Sequence, residues 1–295
     1  SREDDRCFAV DGRAGRIPAP AATLYVGNSG TSARFLTALV ALGHGEYTID
    51  GDARMRQRPI APLLHALSQL GIDAASIEGT GCPPIRVRSS GLAGGEVRIA
   101  GDTSSQYISA LMMVAPLAQH GIRIIIEGDL VSKPYIDLTA DAMRAFGVSP
   151  VTDAYRSITV PGGRSYRACD YTVEPDASAA SYFFALAAVT AGRVRVRHLG
   201  RRSAQGDLRF VDVLERMGCD VRREDDAVTV RGPARLRGVD VDMNAISDTV
   251  QTLAAIAPLA DGPVTIRNVA HIRHKETDRL AALTAELRRL GVTVD

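Results

Sequence analysis

The chain has 295 residues and a mass of 31.4 kDa, long enough for two domains with separate cores. It is 45% hydrophobic and 23% charged, too apolar for a disordered chain. With 35 basic against 34 acidic residues the net charge is +1, which supplies no bulk attraction for nucleic acid or an anionic membrane, and neither is an expected partner. The longest apolar stretches, Tyr107 to Ala118 and Tyr182 to Ala191, fall short of the roughly 18 residues that a membrane helix needs.

Cys7, Cys82, Cys169 and Cys219 are scattered, with no C-x-x-C pair and no histidine-rich partner. Neither a zinc site nor a disulfide framework is expected, and the expected compartment is reducing and cytoplasmic, with no secretory signal. The chain starts at Ser1 rather than Met and stops at Asp295 just after a helix-like segment, so a piece of a longer gene product is expected.

In chain order, Asn28-Ser-Gly-Thr-Ser-Ala-Arg-Phe-Leu opens a first helix with a small polar cluster. Arg54-Met-Arg-Gln-Arg58-Pro59 then sets three arginines before a proline suited to a first helical turn, and that second helix closes on Gly71. Ile85 to Arg88 reads as a strand. Asp102-Thr-Ser-Ser-Gln-Tyr-Ile-Ser-Ala-Leu opens the next helix, Gly121 to Glu127 is a β-branched strand, and Val131-Ser132-Lys133-Pro134-Tyr135 starts a helix ending at Gly147. The segment Tyr171 to Pro175 reads as a domain crossing. Beyond it come the cluster Asp176-Ala-Ser-Ala-Ala-Ser-Tyr-Phe-Phe, a strand at Arg193 to Arg197, a helix ending at Gly218 and a strand at Ala227 to Arg231. Last come Asn244-Ala-Ile-Ser-Asp248-Thr-Val-Gln-Thr-Leu, a strand at Pro263 to Arg267, the charged run His271 to Arg279, and a helix closing on Gly291.

The four polar clusters stand 74, 74 and 68 residues apart, and the four closing glycines 76, 71 and 73. The chain therefore reads as a repeat of strand–helix–strand–helix–strand–strand units of about 70 residues. A superhelical array is the plainer alternative. The first helices, apolar almost all round in Ala110-Leu-Met-Met-Val-Ala and Phe183-Phe-Ala-Leu-Ala-Ala, look instead like central helices buried by several sheets.

Helix starts rich in small polar residues offer unpaired N–H groups and a positive dipole end to an anion. Simple N-capping by Asn28, Asp102, Asp176 and Asn244 is the alternative. A cation at a helix start opposes the dipole, so Arg58 and Arg279 imply an anionic partner bearing phosphate or carboxylate. Glu276 and Asp278 suit a helix N-terminus on electrostatic grounds alone.

Taken together, Leu24-Tyr-Val-Gly-Asn28-Ser-Gly30-Thr31, Arg54 to Ile60, Ser104-Ser105-Gln106, Val131 to Tyr135, Met243 to Asp248 and Lys275-Glu276-Thr277-Asp278-Arg279 resemble the EPSP synthase (3-phosphoshikimate 1-carboxyvinyltransferase) family of enolpyruvyl transferases. The resemblance runs from about Leu24 to the C-terminus. It implies an α/β fold, an inside-out α/β barrel of repeated units in two pseudo-symmetric domains, here residues 1–173 and 174–295, each incomplete. The implied reaction transfers the enolpyruvyl group of phosphoenolpyruvate to the 5-hydroxyl of shikimate 3-phosphate, releasing phosphate, with no metal or organic cofactor and with these small molecules as the partners. A monomer is expected.

By the same resemblance Ser104, Ser105, Gln106, Ser132, Tyr135, Asp248, His271 and Lys275 bind shikimate 3-phosphate, while Gly30, Arg58, Gln106 and Arg279 bind phosphoenolpyruvate. Asp248 accepts the proton of the 5-hydroxyl, Lys275 is a second contact there, and Glu276 donates or relays a proton at the methylene carbon. Carboxylates on either side of the reacting centre suit proton transfer both ways, and arginines suit the donor's two anionic groups. The resemblance further implies six units, of which this chain matches the second to fifth, and such a piece alone is expected to be inactive or poorly folded. His271 stands where many members have Asn and Phe35 where several have Pro. The rival readings are a non-catalytic module that binds shikimate phosphates, and the sister UDP-N-acetylglucosamine enolpyruvyl transferase, whose loop cysteine has only Cys82 as a counterpart.

Overall fold

The computed structural model describes residues 7–102 and 104–295. Thr103, part of the second polar cluster, lies outside the described residues, as do residues 1–6. The described chain divides into two compact units, one formed by the residues through Gly101 with Gln106–Asp129 and Thr139–Asp170, the other by Asp102–Ser105, Leu130–Leu138 and Tyr171–Asp295.

The first unit contains two copies of one pattern. In the first copy β1 (Ala21–Tyr25), α1 (Gly30–Val40), β2 (His44–Asp50), α2 (Ala61–Gln69), β3 (Asp73–Ser76) and β4 (Ile85–Ser90) form a sheet of order β1-β2-β4-β3. β1 and β2 are parallel and the other pairs antiparallel. The second copy, β5 (Gly95–Ala100), α3 (Ser105–Val114), β6 (Ile122–Glu127), α4 (Lys133–Ala145), β7 (Val151–Asp153) and β8 (Ser157–Val160), repeats the order as β5-β6-β8-β7, again with only the first pair parallel. The first residue of α3 and the first six of α4 group with the second unit.

The second unit carries α5 (Ala177–Val189), β9 (Arg193–Arg197), α6 (Phe210–Arg216), β10 (Asp220–Arg223) and β11 (Ala227–Arg231), whose sheet β10-β11-β9 matches the last three strands of the pattern. β12 (Leu236–Asp242), α7 (Val250–Ile256), β13 (Ala260–Arg267) and α8 (Arg279–Arg289) follow, with β12 and β13 parallel, as the first pair of each complete copy is. The strand–helix–strand–helix–strand–strand reading therefore holds, and a simple helical array does not.

Alternation makes the strands. In β6, Ile122, Ile124 and Ile126 point inward and are buried, each side chain contributing about 1.5–3 kcal/mol by leaving water. The four closing glycines all adopt left-handed φ, from +80° to +104°. At each one the following residue's N–H reaches back five positions, as Ile72 does to the Leu67 carbonyl, closing the helix with the double bond pattern that a side chain at the glycine would strain.

Three local expectations are corrected. α1 is capped by Ser29, whose side chain accepts from the Ser32 N–H, and not by Asn28. Asn244 caps nothing: it lies in a 3-10 segment, Asn244–Thr249, and donates to the Asn268 carbonyl. Pro59 precedes α2 rather than entering its first turn, a place taken by Pro62. Asp176 does cap α5, accepting from the N–H groups of Ser178 and Ala179.

The central-helix expectation holds for α3, where Tyr107, Ile108, Ala110, Leu111 and Met112 are fully buried. It fails for one face of α5. Phe184 is 1% exposed within the second unit's core, with Phe210, Leu214, Val230 and Leu253, but Tyr182, Phe183 and Leu186 are more than half exposed.

Candidate functional site

The sequence-derived site residues gather in two clusters, one in each unit. In the first unit the loop between β1 and α1 is pinned by backbone bonds from Val26 to Asp50 and from Asp52 to Gly27. This brings Asn28 against Arg58, whose Nη1 donates to the Asn28 carbonyl at 2.8 Å and to its side-chain oxygen at 3.3 Å. Arg34, one helical turn beyond Gly30, donates to the Pro59 carbonyl and lies over the Tyr107 ring, 5.6 Å from its centroid, while the Tyr107 hydroxyl donates to that same carbonyl.

The two arginines are only 4% and 3% exposed, and both guanidinium groups converge on Gly30, where any added Cβ would overlap them. Gln106 completes the cluster by donating to the Thr31 hydroxyl at 3.3 Å. Nε and Nη1 of Arg34 are buried without a hydrogen-bond acceptor. Two like charges are thus buried together, with donor capacity left over on Arg34, and buried guanidinium donors of this kind suit a small anion. Arg34 was not singled out in the sequence, although its spacing of four from Gly30 places both on one helical face.

The second unit's cluster is built differently. Asp248 sits in the 3-10 segment before α7, with Oδ1 accepting from Arg279 Nη1 at 2.7 Å and from Lys275 Nζ at 3.2 Å. Its Oδ2 accepts from the Tyr135 hydroxyl at 2.7 Å. Burial alone would push the Asp248 carboxyl up, but Lys275, the Tyr135 hydrogen bond and Arg279 outweigh it and hold the group well below the ordinary carboxylate range. Asp248 is therefore an ionised carboxylate in partial burial.

Arg279 opens α8 and also binds Glu276 at 2.7 Å, so the cation expected at this helix start has carboxylates as its anionic partners. Asp278 caps α8 by accepting from the Ala281 N–H. Burial, then the Lys275 charge, lowers the His271 pKa, and its Nε2 is buried without a partner, so the ring is neutral. Ser132 is buried and holds a left-handed φ of +55°, uncommon for a serine, just before α4 presents Tyr135.

Ser104 and Ser105 stand at the start of α3 in the second unit, and Gln106 groups with the first. The structure thus joins Gly30, Arg58 and Gln106 in one cluster, and Tyr135, Asp248, Lys275, Glu276 and Arg279 in the other. One further acid was missed. Asp207, in the 3-10 turn Gly206–Arg209 ahead of α6, is 4% exposed and lies 2.9 Å from the Tyr135 hydroxyl. In sequence it resembles any acid at a helix start. Among the described residues no group of His, Cys, Asp and Glu is arranged to hold a metal ion.

Repeated α/β units, one with two buried guanidinium groups converging on a glycine and the other with an ionised carboxylate between cations, carry the side-chain chemistry for small anions and proton transfer. Comparison with known proteins narrows the class. The profile of the EPSP synthase (3-phosphoshikimate 1-carboxyvinyltransferase) family matches residues 1–295. The chain is 53% identical over 284 residues to a Nostoc punctiforme protein named 3-phosphoshikimate 1-carboxyvinyltransferase, covering 96% of this chain and 67% of the relative. It is 48% identical over 276 residues to one of the same name from Shewanella sp. strain ANA-3, covering 93% and 65%.

An EPSP synthase structure from Acinetobacter baumannii superposes with a TM-score of 0.72 at 24% identity, over 92% of this chain and 62% of that one, a likeness of fold. The chain belongs to the EPSP synthase family, and spans about two thirds of the length of the relatives it matches.

Proposed function

We propose that the protein carrying this chain transfers the enolpyruvyl group of phosphoenolpyruvate to the 5-hydroxyl of shikimate 3-phosphate and releases phosphate. The observation that carries the reading is Asp248, kept ionised by Lys275, Arg279 and Tyr135 and so available as a base at neutral pH. Asp248 takes the proton of the 5-hydroxyl as its oxygen attacks the central carbon of phosphoenolpyruvate, while Glu276 donates or relays a proton to the methylene carbon, acting as donor only in its protonated form. Loss of a proton from the resulting methyl group, with cleavage of the carbon–oxygen bond to phosphate, restores the enol ether.

Gly30, Arg58, Gln106 and Arg279 bind phosphoenolpyruvate, and the buried guanidinium groups around Gly30 support that assignment, with Arg34 added to it. Ser104, Ser105, Gln106, Ser132, Tyr135, Asp248, His271 and Lys275 bind shikimate 3-phosphate. Residues 1–173 and 174–295 belong to the two domains of this reading, and the protein acts as a cytoplasmic monomer on small molecules. The near-neutral charge balance agrees with small-molecule partners.

The test is phosphate release from the two substrates by the protein purified from its complete gene. Turnover is expected, and its absence with the sugar-nucleotide acceptor in place of shikimate 3-phosphate separates this reading from the sister transferase.

A further inference from the structure

Among the described residues Asp207 is the most deeply buried acid, and the reaction as written does not use it. The chain brings three segments together around it. A Cβ on Gly206 would overlap the Pro134 ring and crowd the Ala245 carbonyl, so the turn before α6, the start of α4 and the segment before α7 meet at closest approach. There Asp207 Oδ2 lies 2.9 Å from the Tyr135 hydroxyl oxygen and 2.5 Å from the Ser178 hydroxyl on α5. The same Tyr135 oxygen lies 2.7 Å from Asp248 Oδ2.

Counting protons decides the arrangement. Three contacts, Ser178 to Asp207, Asp207 to Tyr135 and Tyr135 to Asp248, each need one proton, and the two hydroxyls supply two. Asp248 cannot supply the third, because Lys275 and Arg279 hold it ionised. We infer that Asp207 is a neutral carboxylic acid that donates to Tyr135, committing the phenol proton to Asp248, and so acts as a positioning residue for that base. The chain of donors runs one way: Ser178 to Asp207, Asp207 to Tyr135, Tyr135 to Asp248.

The environment agrees. Asp207 Oδ1 is buried with no donor, a tolerable place for a neutral carbonyl oxygen and a costly one for a shared negative charge. Burial pushes the carboxyl up, the Ser178 hydrogen bond and the Lys275 charge oppose this, and the Asp248 charge adds to it. Without the third proton, Tyr135 would be contested between two carboxylates and Asp248 would lose a fixed donor. The inference rests on the proposed role of Asp248 only for its consequence in turnover, not for the protonation itself.

The experiment uses protein from the complete gene, comparing Asp207→Asn and Asp207→Leu with wild type. Thermal melting across pH 4 to 8 reads protonation without substrate. A folded-state pKa above the unfolded value means the native form holds the extra proton, so wild type is expected to lose melting temperature relative to Asp207→Asn as pH rises. A shift in the opposite sense would mean an ionised Asp207 and overturns the inference.

In steady-state kinetics Asp207→Leu, which cannot donate to Tyr135, is expected to lose kcat by about 10²-fold through misplacement of the base, with KM for phosphoenolpyruvate little moved. Asp207→Asn, whose amide donates in place of the acid, restores most of it. Asn performing as poorly as Leu overturns the positioning role. If the leucine variant does not fold, the melting series and the asparagine kinetics still decide. Absence of turnover in the wild type would sink the proposed reaction and leave the melting result standing.

Discussion

The two clusters balance charge in different ways, one by burying two cations together and the other by interlocking cations with carboxylates. Around Gly30 two buried guanidinium groups meet, and Nε and Nη1 of Arg34 are buried without an acceptor. Around Asp248 the charges are already interlocked, with Lys275, Arg279 and Glu276 fixing a carboxylate whose proton affinity is held down. Buried guanidinium donors with spare capacity favour an anion. An interlocked network instead keeps one carboxylate ionised beside a phenol donor, the arrangement on which the proposed proton transfer rests.

The sharpest way to break that contrast is Asp248→Ala. It is expected to lower kcat by about 10²–10⁴-fold, measured by phosphate release, while binding of phosphoenolpyruvate survives. Unchanged kcat removes Asp248 from the chemistry.

In the other cluster Arg58→Ala is expected to raise KM for phosphoenolpyruvate by about 10- to 100-fold, the worth of a charge-assisted hydrogen bond, with a smaller change in kcat. Gly30→Ala should act in the same direction, because its methyl group would displace both guanidinium groups. An equal rise in KM for both substrates would show that the two clusters do not divide the work as described.

Acidification probes the second cluster without substrate. Because Asp248 has a folded-state pKa below its unfolded value, the unfolded chain binds the extra proton, and the stability from its ion pairs is present above about pH 4 and lost as pH falls further. Asp248→Asn should therefore flatten the acid limb of the melting curve, read by scanning calorimetry. A variant with the wild-type acid limb would mean that other carboxylates carry it.

The smallest effect tests the scaffold. Gly71 has φ +82° and open space around its Cα, so Gly71→Ala meets no clash and costs only the left-handed conformation, about 1 kcal/mol by urea unfolding. Both substrate KM values should stay where they were.

Much of the fold was legible in the residues. The helix-closing glycines, the Asp176 cap and the strand pattern are local, since each depends on backbone conformation and on side-chain periodicity within a few positions. The Asn28 and Asn244 caps were misread because tertiary partners, Arg58 and Asn268, claim those side chains. The apolar face of α5 stays exposed because an apolar run states that burial is favourable and not what supplies it.

The site divides along the same line. The helix-start argument brought out Arg58 and Arg279, because a cation there opposes the dipole, whereas Gly30, Asp248 and Lys275 came from the family resemblance of their motifs. Arg34 and Asp207 emerged only from the folded chain. Charge type is written in the side chain, but its proton and its partners depend on which segments, here α4, the turn before α6 and the turn before α7, are brought within hydrogen-bond distance. Residue order determined the repeat and the chemical vocabulary of this protein. Tertiary packing alone decided which arginines are buried together and which carboxylate stays charged, because desolvation and Coulomb energy act through space and not along the chain.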